Sequence, residues 1–325
     1  MILEAIEKVL SVHCTGAEIR RIEAGGSAIS LWQAMQEGGF LDLCLSEEKG
    51  GAALPMIELC AVLQCLGRFA MPLPLAQTIV ARALVGGAAE LPAGMVTLAG
   101  RLQRRGDGGV ACPCTPYGAV ADHVLVNDDG DLLLLACAQA RRVAVGDPRH
   151  LAASLQWDQV QPPLRVPGAG GAVEPFAAAM TAALLSGAMQ RSFDMSLAHC
   201  NNRVQFGKAL GKFQAIQQQL SVMAEHVLAG AIAAESAFCT LEAAPSLLAS
   251  AIAKSRTSEA AGLVAGIAHA VHGAIGMTDE YDLGLVTRRL HDWRISYGAE
   301  NHWNRIVGAL VLSGQGSLAE FVRTV

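Results

Sequence analysis

The sequence predicts a mainly α-helical protein with a small central β-domain. Apolar residues recur at intervals of three and four before about residue 95 and again after about residue 171, which is the period of amphipathic helices. Between these regions, short β-prone runs are separated by turn residues. The later helical segments are long and joined by brief connections, as in an antiparallel bundle. We therefore predict an N-terminal helical domain (1–95), a middle β-barrel or sandwich (96–170) and a C-terminal four-helix bundle (171–325).

The composition limits the kinds of partner that this chain can have. Only 16% of its 325 residues are charged, the net charge is −5 and no long basic run is present, so no nucleic-acid partner is expected. Because 52% of the residues are hydrophobic, we expect some surface to be buried between subunits. No uninterrupted apolar run reaches the roughly 18 residues that span a bilayer, and the first residues carry acids where a signal peptide would be basic. These observations predict a cytoplasmic protein without a membrane partner.

Cysteine and histidine positions give little support for a metal site. The nine cysteines are odd in number and scattered, which indicates reduced thiols. Cys112 and Cys114 form the only tight pair, and a metal there is the weaker interpretation because no second ligand pair lies at a useful spacing. His269 and His272 lie three residues apart, but no carboxylate supports a third ligand. We interpret both histidines as structural and predict no bound metal.

Apolar stripes predict four helices in the N-terminal domain. The stripes comprise Ile2, Ile6, Val9 and Leu10; Ile29, Trp32 and Met35; Ile57, Leu59, Val62, Leu63 and Leu66; and apolar positions in residues 75–84. Gly38 and Gly39 end the second of these helices as a C-terminal cap.

Changes in the spacing of the apolar residues along the chain predict the β-domain and the helical bundle. Residues 95–99, 121–127, 132–137, 142–145 and 155–160 are predicted strands, with a hairpin turn at 127–130. Residues 162–163 and 167–171, rich in proline and glycine, are a predicted linker. Helices are predicted at 174–201, 213–242, 246–271, 283–296 and 302–313.

The segment from Arg203 to Leu220 combines a glycine-interrupted bend with the start of a long helix. Cations and amides surround this bend, and the backbone N–H groups of a helix N-terminus favour an anion such as a phosphate. The polar candidates are Arg203, Gln205, Lys208, Lys212 and Gln214. An ordinary bundle helix with its entry loop is the alternative interpretation of the apolar stripe that follows.

This segment resembles the acyl-CoA dehydrogenase family, in which Arg-x-Gln-Phe-Gly followed by Phe-Gln-x-Ile-Gln leads into a bundle helix. The resemblance implies that Arg203, Phe206 and Gln214, with Gln205 in the same motif, reach the ADP half of an FAD bound mainly by a neighbouring subunit. The family has the same order of domains, and its members are usually tetramers.

Residues 272–281 resemble a second family motif, Gln-x-His-Gly-Gly-x-Gly-x-Thr-x-Glu, which packs on the FAD diphosphate. Gly273, Gly276 and Thr278 match and are the implied cofactor-binding residues. Ala274 replaces the second glycine, and Ala270 replaces the glutamine, which removes a side-chain donor. An ordinary helix cap and turn is the alternative interpretation.

Residues 290–305 resemble the family segment that carries the catalytic glutamate. Aligned without a gap on Asp292, Arg294 and Ile295, Glu300 falls on the catalytic base. The alternative is that Glu300 only charges the first turn of the last helix, where an acid is favoured. Residues 116–126 resemble a segment of the family's middle domain. That domain's usual Thr-Glu-Pro-x-x-Gly-Ser-Asp loop, which contacts the flavin ring and the acyl-CoA, is not matched.

Two functions are expected from this resemblance. The first is FAD-dependent α,β-dehydrogenation of an acyl-CoA thioester to the 2,3-enoyl-CoA, a step of lipid metabolism, with an electron-transferring flavoprotein as the family's usual electron acceptor. The second is a non-catalytic or half-site subunit that completes the flavin site of a partner acyl-CoA dehydrogenase chain. A dimer or tetramer, of identical or different chains, is expected in either case.

Overall fold

A computed structural model describes residues 1–86, 88–89, 91–159, 164–314 and 321 of the chain. The N-terminal helices are α1 (Ile2–His13), α2 (Gly16–Glu23), α3 (Ile29–Glu37), α4 (Met56–Arg68) and α5 (Leu75–Val85). Helices α1, α3, α4 and α5 lie where the apolar stripes predict them, whereas α2 was not predicted. After α3, Gly38 caps the helix and Gly39 takes a positive φ of 73°, which ends the helix as expected for glycine.

The described part of the middle region contains eight strands arranged in two four-stranded sheets. These strands are β1 (Val96–Leu98), β2 (Gln103–Arg104), β3 (Val110–Thr115), β4 (His123–Asp128), β5 (Asp131–Ala136), β6 (Arg141–Ala144), β7 (Ala153–Trp157) and β8 (Leu164–Val166). One sheet has the order β1-β4-β5-β8 and the other β2-β3-β7-β6. Their apolar faces share a core that includes Val124, Leu133, Leu155 and Trp157, so the domain is a sandwich.

The hairpin between β4 and β5 confirms the predicted turn. Asp128 pairs with Asp131, and Asp129 and Gly130 have φ values of 52° and 98°. Two successive positive φ values are typical of the type I′ turn that matches strand twist.

Strand β8 lies between the two stretches of the predicted linker and pairs with β5. The linker's Pro162 and Pro163 lie outside the described residues. Strands β2 and β3 were not predicted.

The C-terminal region is a helical bundle with one small hairpin. Its elements are α6 (Val173–Asn202), β9 (Val204–Gln205), β10 (Lys208–Ala209), α7 (Gln214–Phe238), α8 (Leu247–His272), α9 (Leu283–Ile295) and α10 (Glu300–Ser313). Helix α7 ends four residues before the predicted boundary, and residues 239–246 form a loop. Helix α10 begins two residues earlier than predicted, so Glu300 is its first residue.

Helices α4 and α6 join the N-terminal region to the bundle through close backbone contact. A β-carbon at Gly67 would overlap the carbonyl oxygen of Leu184, and one at Gly187 would overlap the carbonyl oxygen of Gln64. Each helix therefore presents a glycine to the backbone of the other. The buried apolar side chains of both regions form one continuous core.

Among the residues that the structure describes, two helical stretches are long and apolar enough, by length and composition alone, to cross a membrane. They are Gly170–Asn202 and Leu247–Met277. This is weak evidence, because the core helices of soluble proteins pass the same test. The protein buries 89% of the apolar window of the first stretch but only 44% of the second, so much of the α8 window faces outward in this single chain.

Candidate cofactor-binding and active site

The predicted cofactor segment around Arg203 forms an exposed hairpin at the end of α6. Strands β9 and β10 pair antiparallel, with Val204 opposite Ala209. The turn between them places Phe206 and Gly207 at φ values of 51° and 79°. Phe206 is 92% exposed, and its ring meets that of Phe213 edge-on with the centroids 6.2 Å apart. The hairpin therefore presents an aromatic ring to the outside of the chain.

The charges and helix end beside this hairpin suit an anion. The cap residue of α7 is Phe213, which offers no side-chain acceptor to the first N–H groups of this 25-residue helix. Gln214 is the first residue of α7, and Arg203, Gln205 and Gln214 are all exposed or nearly so. Among the described residues, the side chains of Arg203 and Lys212 form no ion pair.

The second predicted cofactor segment follows α8 and is also exposed. Gly273 ends α8 at a positive φ of 65°, and a β-carbon there would face open space. Gly276 is needed for packing instead, because its β-carbon would lie 2.9 Å from Cβ of His272. The Thr278 hydroxyl donates a hydrogen bond to the carbonyl of Ile275 at 2.9 Å and so stabilises the turn.

A stacked histidine pair brings the two cofactor segments together. The rings of His199, near the end of α6, and His272, the last residue of α8, stack with centroids 4.5 Å apart. Nδ1 of His272 donates to the carbonyl of Ala268 at 2.7 Å, so Nε2 is the acceptor that faces the Tyr281 hydroxyl at 3.3 Å. Burial lowers the pKa of both imidazoles. The sequence identified His272 as structural but gave no sign of its contact with His199.

Glu300, the predicted base, begins α10 and is held by an arginine. Its two carboxylate oxygens accept from Arg294 Nη2 at 2.5 Å and Nε at 3.1 Å. These bonds lower the pKa of Glu300 below its ordinary value. Its position also fits the alternative interpretation, an acid in the first turn of a helix. A general base for a weak carbon acid needs a raised pKa, so this ion pair opposes that role in the state described here.

The turn before Glu300 contacts the β-domain. The Tyr297 hydroxyl donates to the carbonyl of Leu98, in β1, at 3.2 Å. Burial raises the pKa of Tyr297, so the phenol stays protonated. The Glu300 end of the bundle therefore faces the sandwich.

The Glu300 end and the Arg203 end lie at opposite ends of the bundle. Helix α6 has 30 residues and is about 45 Å long. Glu174, in its first turn, lies 3.3 Å from Nε2 of His302 on α10, whereas Arg203 follows its last turn. This separation exceeds the length of an extended dinucleotide. One FAD cannot touch both ends of the same chain.

Comparison with known proteins agrees with this architecture. A family model described as acyl-CoA dehydrogenase, N-terminal domain, matches residues 1–90, and one described as acyl-CoA dehydrogenase, C-terminal domain, matches residues 175–312. The chain belongs to the acyl-CoA dehydrogenase family. Acyl-CoA dehydrogenase IpdE2 of Mycobacterium tuberculosis is 29% identical over 295 residues, which cover 90% of each chain. Acyl-CoA dehydrogenase FadE34 of the same organism is 30% identical over 326 residues, which cover 92% of this chain and 45% of FadE34.

Solved structures share the acyl-CoA dehydrogenase fold. A chain of the ChsE4-ChsE5 complex from Mycobacterium tuberculosis matches with a TM-score of 0.85 at 18% identity, over 97% of both chains. A Tcur3481-Tcur3483 steroid ACAD variant matches with a TM-score of 0.83 at 23% identity, over 97% of this chain and 98% of its own. The predicted fold class is therefore confirmed.

The residues at the Arg203 end fit the ADP half of an FAD. Arg203 supplies a cation, and the helix that begins at Gln214 has no side-chain cap. Phe206 supplies an exposed aromatic ring, and Gly273 a turn with open space beside it. The middle domain lacks the family's loop for the flavin ring. This chain therefore offers a clearer site for the nucleotide half of the cofactor than for its flavin ring.

Proposed function

We propose that this chain takes part in the FAD-dependent α,β-dehydrogenation of an acyl-CoA thioester to the 2,3-enoyl-CoA, as one chain of an oligomer. The separation of the Arg203 end from the Glu300 end along α6 carries this proposal. Because one cofactor cannot reach both, the Arg203 end would complete a flavin site on a neighbouring chain. The outward-facing apolar window of α8 supports burial against another chain.

The proposed reaction assigns separate tasks to the two ends. Arg203 and the exposed helix start would hold the diphosphate and adenosine of the cofactor, which supplies a hydride acceptor when bound. At the other end, Glu300 is the candidate acceptor of the thioester's α-proton. For this role, the Arg294 guanidinium would have to move away from the carboxylate, since its hydrogen bonds keep the carboxylate weakly basic.

A second candidate function is a half-site subunit that serves a different, catalytic partner chain. The Arg294–Glu300 ion pair favours it, because this carboxylate is already neutralised within the chain. The unmatched flavin-ring loop favours it too. Two similar structures carry the names of two components each, the ChsE4-ChsE5 complex and the Tcur3481-Tcur3483 steroid ACAD. By analogy, this chain would pair with a second acyl-CoA dehydrogenase chain that has an intact flavin-ring loop.

The visible absorption spectrum of the protein expressed alone and purified by size exclusion tests both candidates. Flavin near one per chain supports a self-sufficient dehydrogenase, and flavin near one per two chains supports a shared site. If no flavin is bound after FAD is added, the self-sufficient form is wrong, and reconstitution with a partner chain becomes the decisive assay.

Glu300→Gln separates the catalytic from the half-site role. If Glu300 is the base, acyl-CoA turnover should fall on the order of 100-fold or more, because the substituted amide cannot accept the proton. Turnover is measured in whichever assembly is active, the pure protein or its complex. Glu242→Gln, in the exposed loop after α7, is the matched control and should leave turnover unchanged. Full turnover in the Glu300 variant would exclude it as the base.

A further inference from the structure

Lys254 is a buried lysine in the first third of α8. Its side chain is fully buried, and Nζ donates three hydrogen bonds: to Oγ of Ser258 at 2.8 Å, to the carbonyl of Arg294 at 2.8 Å and to the carbonyl of Gly298 at 2.9 Å. An ammonium group has three N–H donors, so every donor has a partner. Two of these partners are backbone groups outside α8.

Those two carbonyl groups bracket the turn between α9 and α10. The turn contains two successive residues in the left-handed region, Tyr297 at φ 55° and Gly298 at φ 99°. For tyrosine this conformation is strained, so surrounding contacts must maintain it. Nε1 of Trp303 donates to the carbonyls of Tyr297 and Gly298 at 3.1 and 3.2 Å. The turn is thus held from α10 by an indole and from α8 by the Lys254 ammonium.

The charges around Lys254 link it to the candidate reactive pair. The ionisable groups that act on it are the Glu300 carboxylate of α10, which favours the ammonium, and the Arg294 guanidinium of α9, which disfavours it. Burial is the larger effect and lowers the pKa of Lys254 to about 7. Arg294 accepts from Lys254 through its carbonyl and binds Glu300 through its guanidinium. A change at Lys254 therefore reaches Glu300 through one intervening residue.

We propose that Lys254 is a positioning residue that sets the conformation of the α9–α10 turn and, through it, the orientation of the Arg294–Glu300 pair. This inference rests on the proposed function only in assigning that pair to the reactive end of the molecule. The observations that support it are the three hydrogen bonds that the ammonium donates and the two left-handed residues of the turn.

Hydrogen–deuterium exchange of the full chain tests the proposal directly. In Lys254→Met the carbonyls of Arg294 and Gly298 lose a buried donor, so exchange in residues 294–302 should speed up on the order of tenfold or more. Exchange in α1 and α4 should be unchanged. Lys8→Met, at an exposed position on α1, is the matched control and should exchange like the wild type throughout. Wild-type exchange rates at the turn of Lys254→Met would overturn the proposal.

Two measurements cover the case in which Lys254→Met does not fold. Ser258→Ala removes one acceptor of the ammonium and should loosen the same turn to a smaller extent. At a pH well below 7, where Lys254 is protonated, lysine labelled with ¹⁵N at Nζ in the wild type should show one ammonium whose protons exchange much more slowly than those of the exposed Lys8. Uniformly fast exchange would contradict the bonding on which the proposal depends.

Turnover distinguishes this inference from the proposed function. If Glu300→Gln abolishes turnover, Lys254→Met should lower kcat more than it raises KM, because the misplaced group acts in the chemical step. If Glu300→Gln is fully active while the turn still loosens in Lys254→Met, the catalytic assignment fails and the positioning role stands.

Discussion

The pKa values of Lys254 and Glu300 are both lowered, but by different causes. The lysine loses hydration, which lowers the pKa of its ammonium, whereas the glutamate gains hydrogen bonds from Arg294, which lower the pKa of its carboxyl. At neutral pH the carboxylate is therefore charged, and the ammonium is near its midpoint. At the scale of single residues, Lys254 is therefore a group whose charge changes near physiological pH.

The pH dependence of unfolding tests the shift at Lys254. The folded pKa is about 7 and the ordinary value is 10.5, so between these limits the unfolded chain binds a proton that the folded chain has released. Stability should therefore rise with pH across this window, by at most about 1.4 kcal/mol per pH unit from this group. Below about pH 7 both states are protonated, and the contribution is constant.

Urea unfolding of wild type and Lys254→Met between pH 6.5 and 9 measures this slope. Buried thiols such as Cys60 and Cys112 have pKa values raised to about 12, which lowers stability at high pH, but they are common to both proteins. The difference between the two curves therefore isolates Lys254. Parallel curves would show that the lysine keeps its ordinary pKa in the folded chain.

At the scale of secondary-structure elements, the close contact between α4 and α6 depends on glycine. Gly187→Ala places a methyl group against the carbonyl of Gln64, so the helices must separate, with an expected loss of about 2–3 kcal/mol in the free energy of unfolding. Gly266→Ala, in α8, meets nothing within 4 Å and should instead stabilise the chain by about 0.5–1 kcal/mol. Chemical denaturation measures both. Equal stabilities would refute the close approach.

Helices were more predictable than strands because they carry longer periodic patterns. The stripe Phe213, Ile216, Leu220, Met223 and Val227 gave the start of α7 to within one residue. Strand β2 has two residues, both exposed, and β3 has a register shift after Cys112, so neither shows a clear alternation. The predicted end of α7, residue 242, is too late because no glycine or proline marks the true end at Phe238; the next proline is Pro245.

The sequence motifs of the candidate site could be predicted one by one, but not how they lie relative to one another in space. The residues around Arg203 and Gly273 could be identified from local sequence, whereas their association depends on His199 and His272, which are far apart in the chain. The burial of Lys254 could not be predicted, because a lysine on a helix is expected to be exposed to solvent. Contacts of this kind arise from tertiary packing, and neither the spacing of apolar residues nor short motifs predict them. Whether Glu300 acts as a base stays a prediction.

At the scale of the whole molecule, a buried ion network joins all three regions. Glu23, at the end of α2, accepts from Arg288 and Arg289 of α9 at 2.9 and 2.8 Å. Arg289 also faces Asp292 at 3.5 Å, and Asp292 lies 3.1 Å from Nδ1 of His150 in the β-domain. Burial raises the pKa of Asp292, while the Arg289 charge opposes this. The network therefore spans the N-terminal helices, the sandwich and the bundle.

Removing one carboxylate from this network should weaken the whole fold. Glu23→Gln leaves the buried Arg289 without its nearest counter-charge, which costs about 3–5 kcal/mol when a buried pair loses one partner. Glu18→Gln on the same helix removes only a surface ion pair with Arg21, so the free energy of unfolding should fall by less than about 1 kcal/mol.

Calorimetry of both variants is the measurement that relates this network to domain coupling. Because the N-terminal helices and the bundle share one apolar core, Glu23→Gln should unfold in a single transition at lower temperature. Two separated transitions would mean that the ion network, and not the shared core, couples the domains. An unchanged melting temperature would mean that Arg289 finds enough compensation from Asp292 alone.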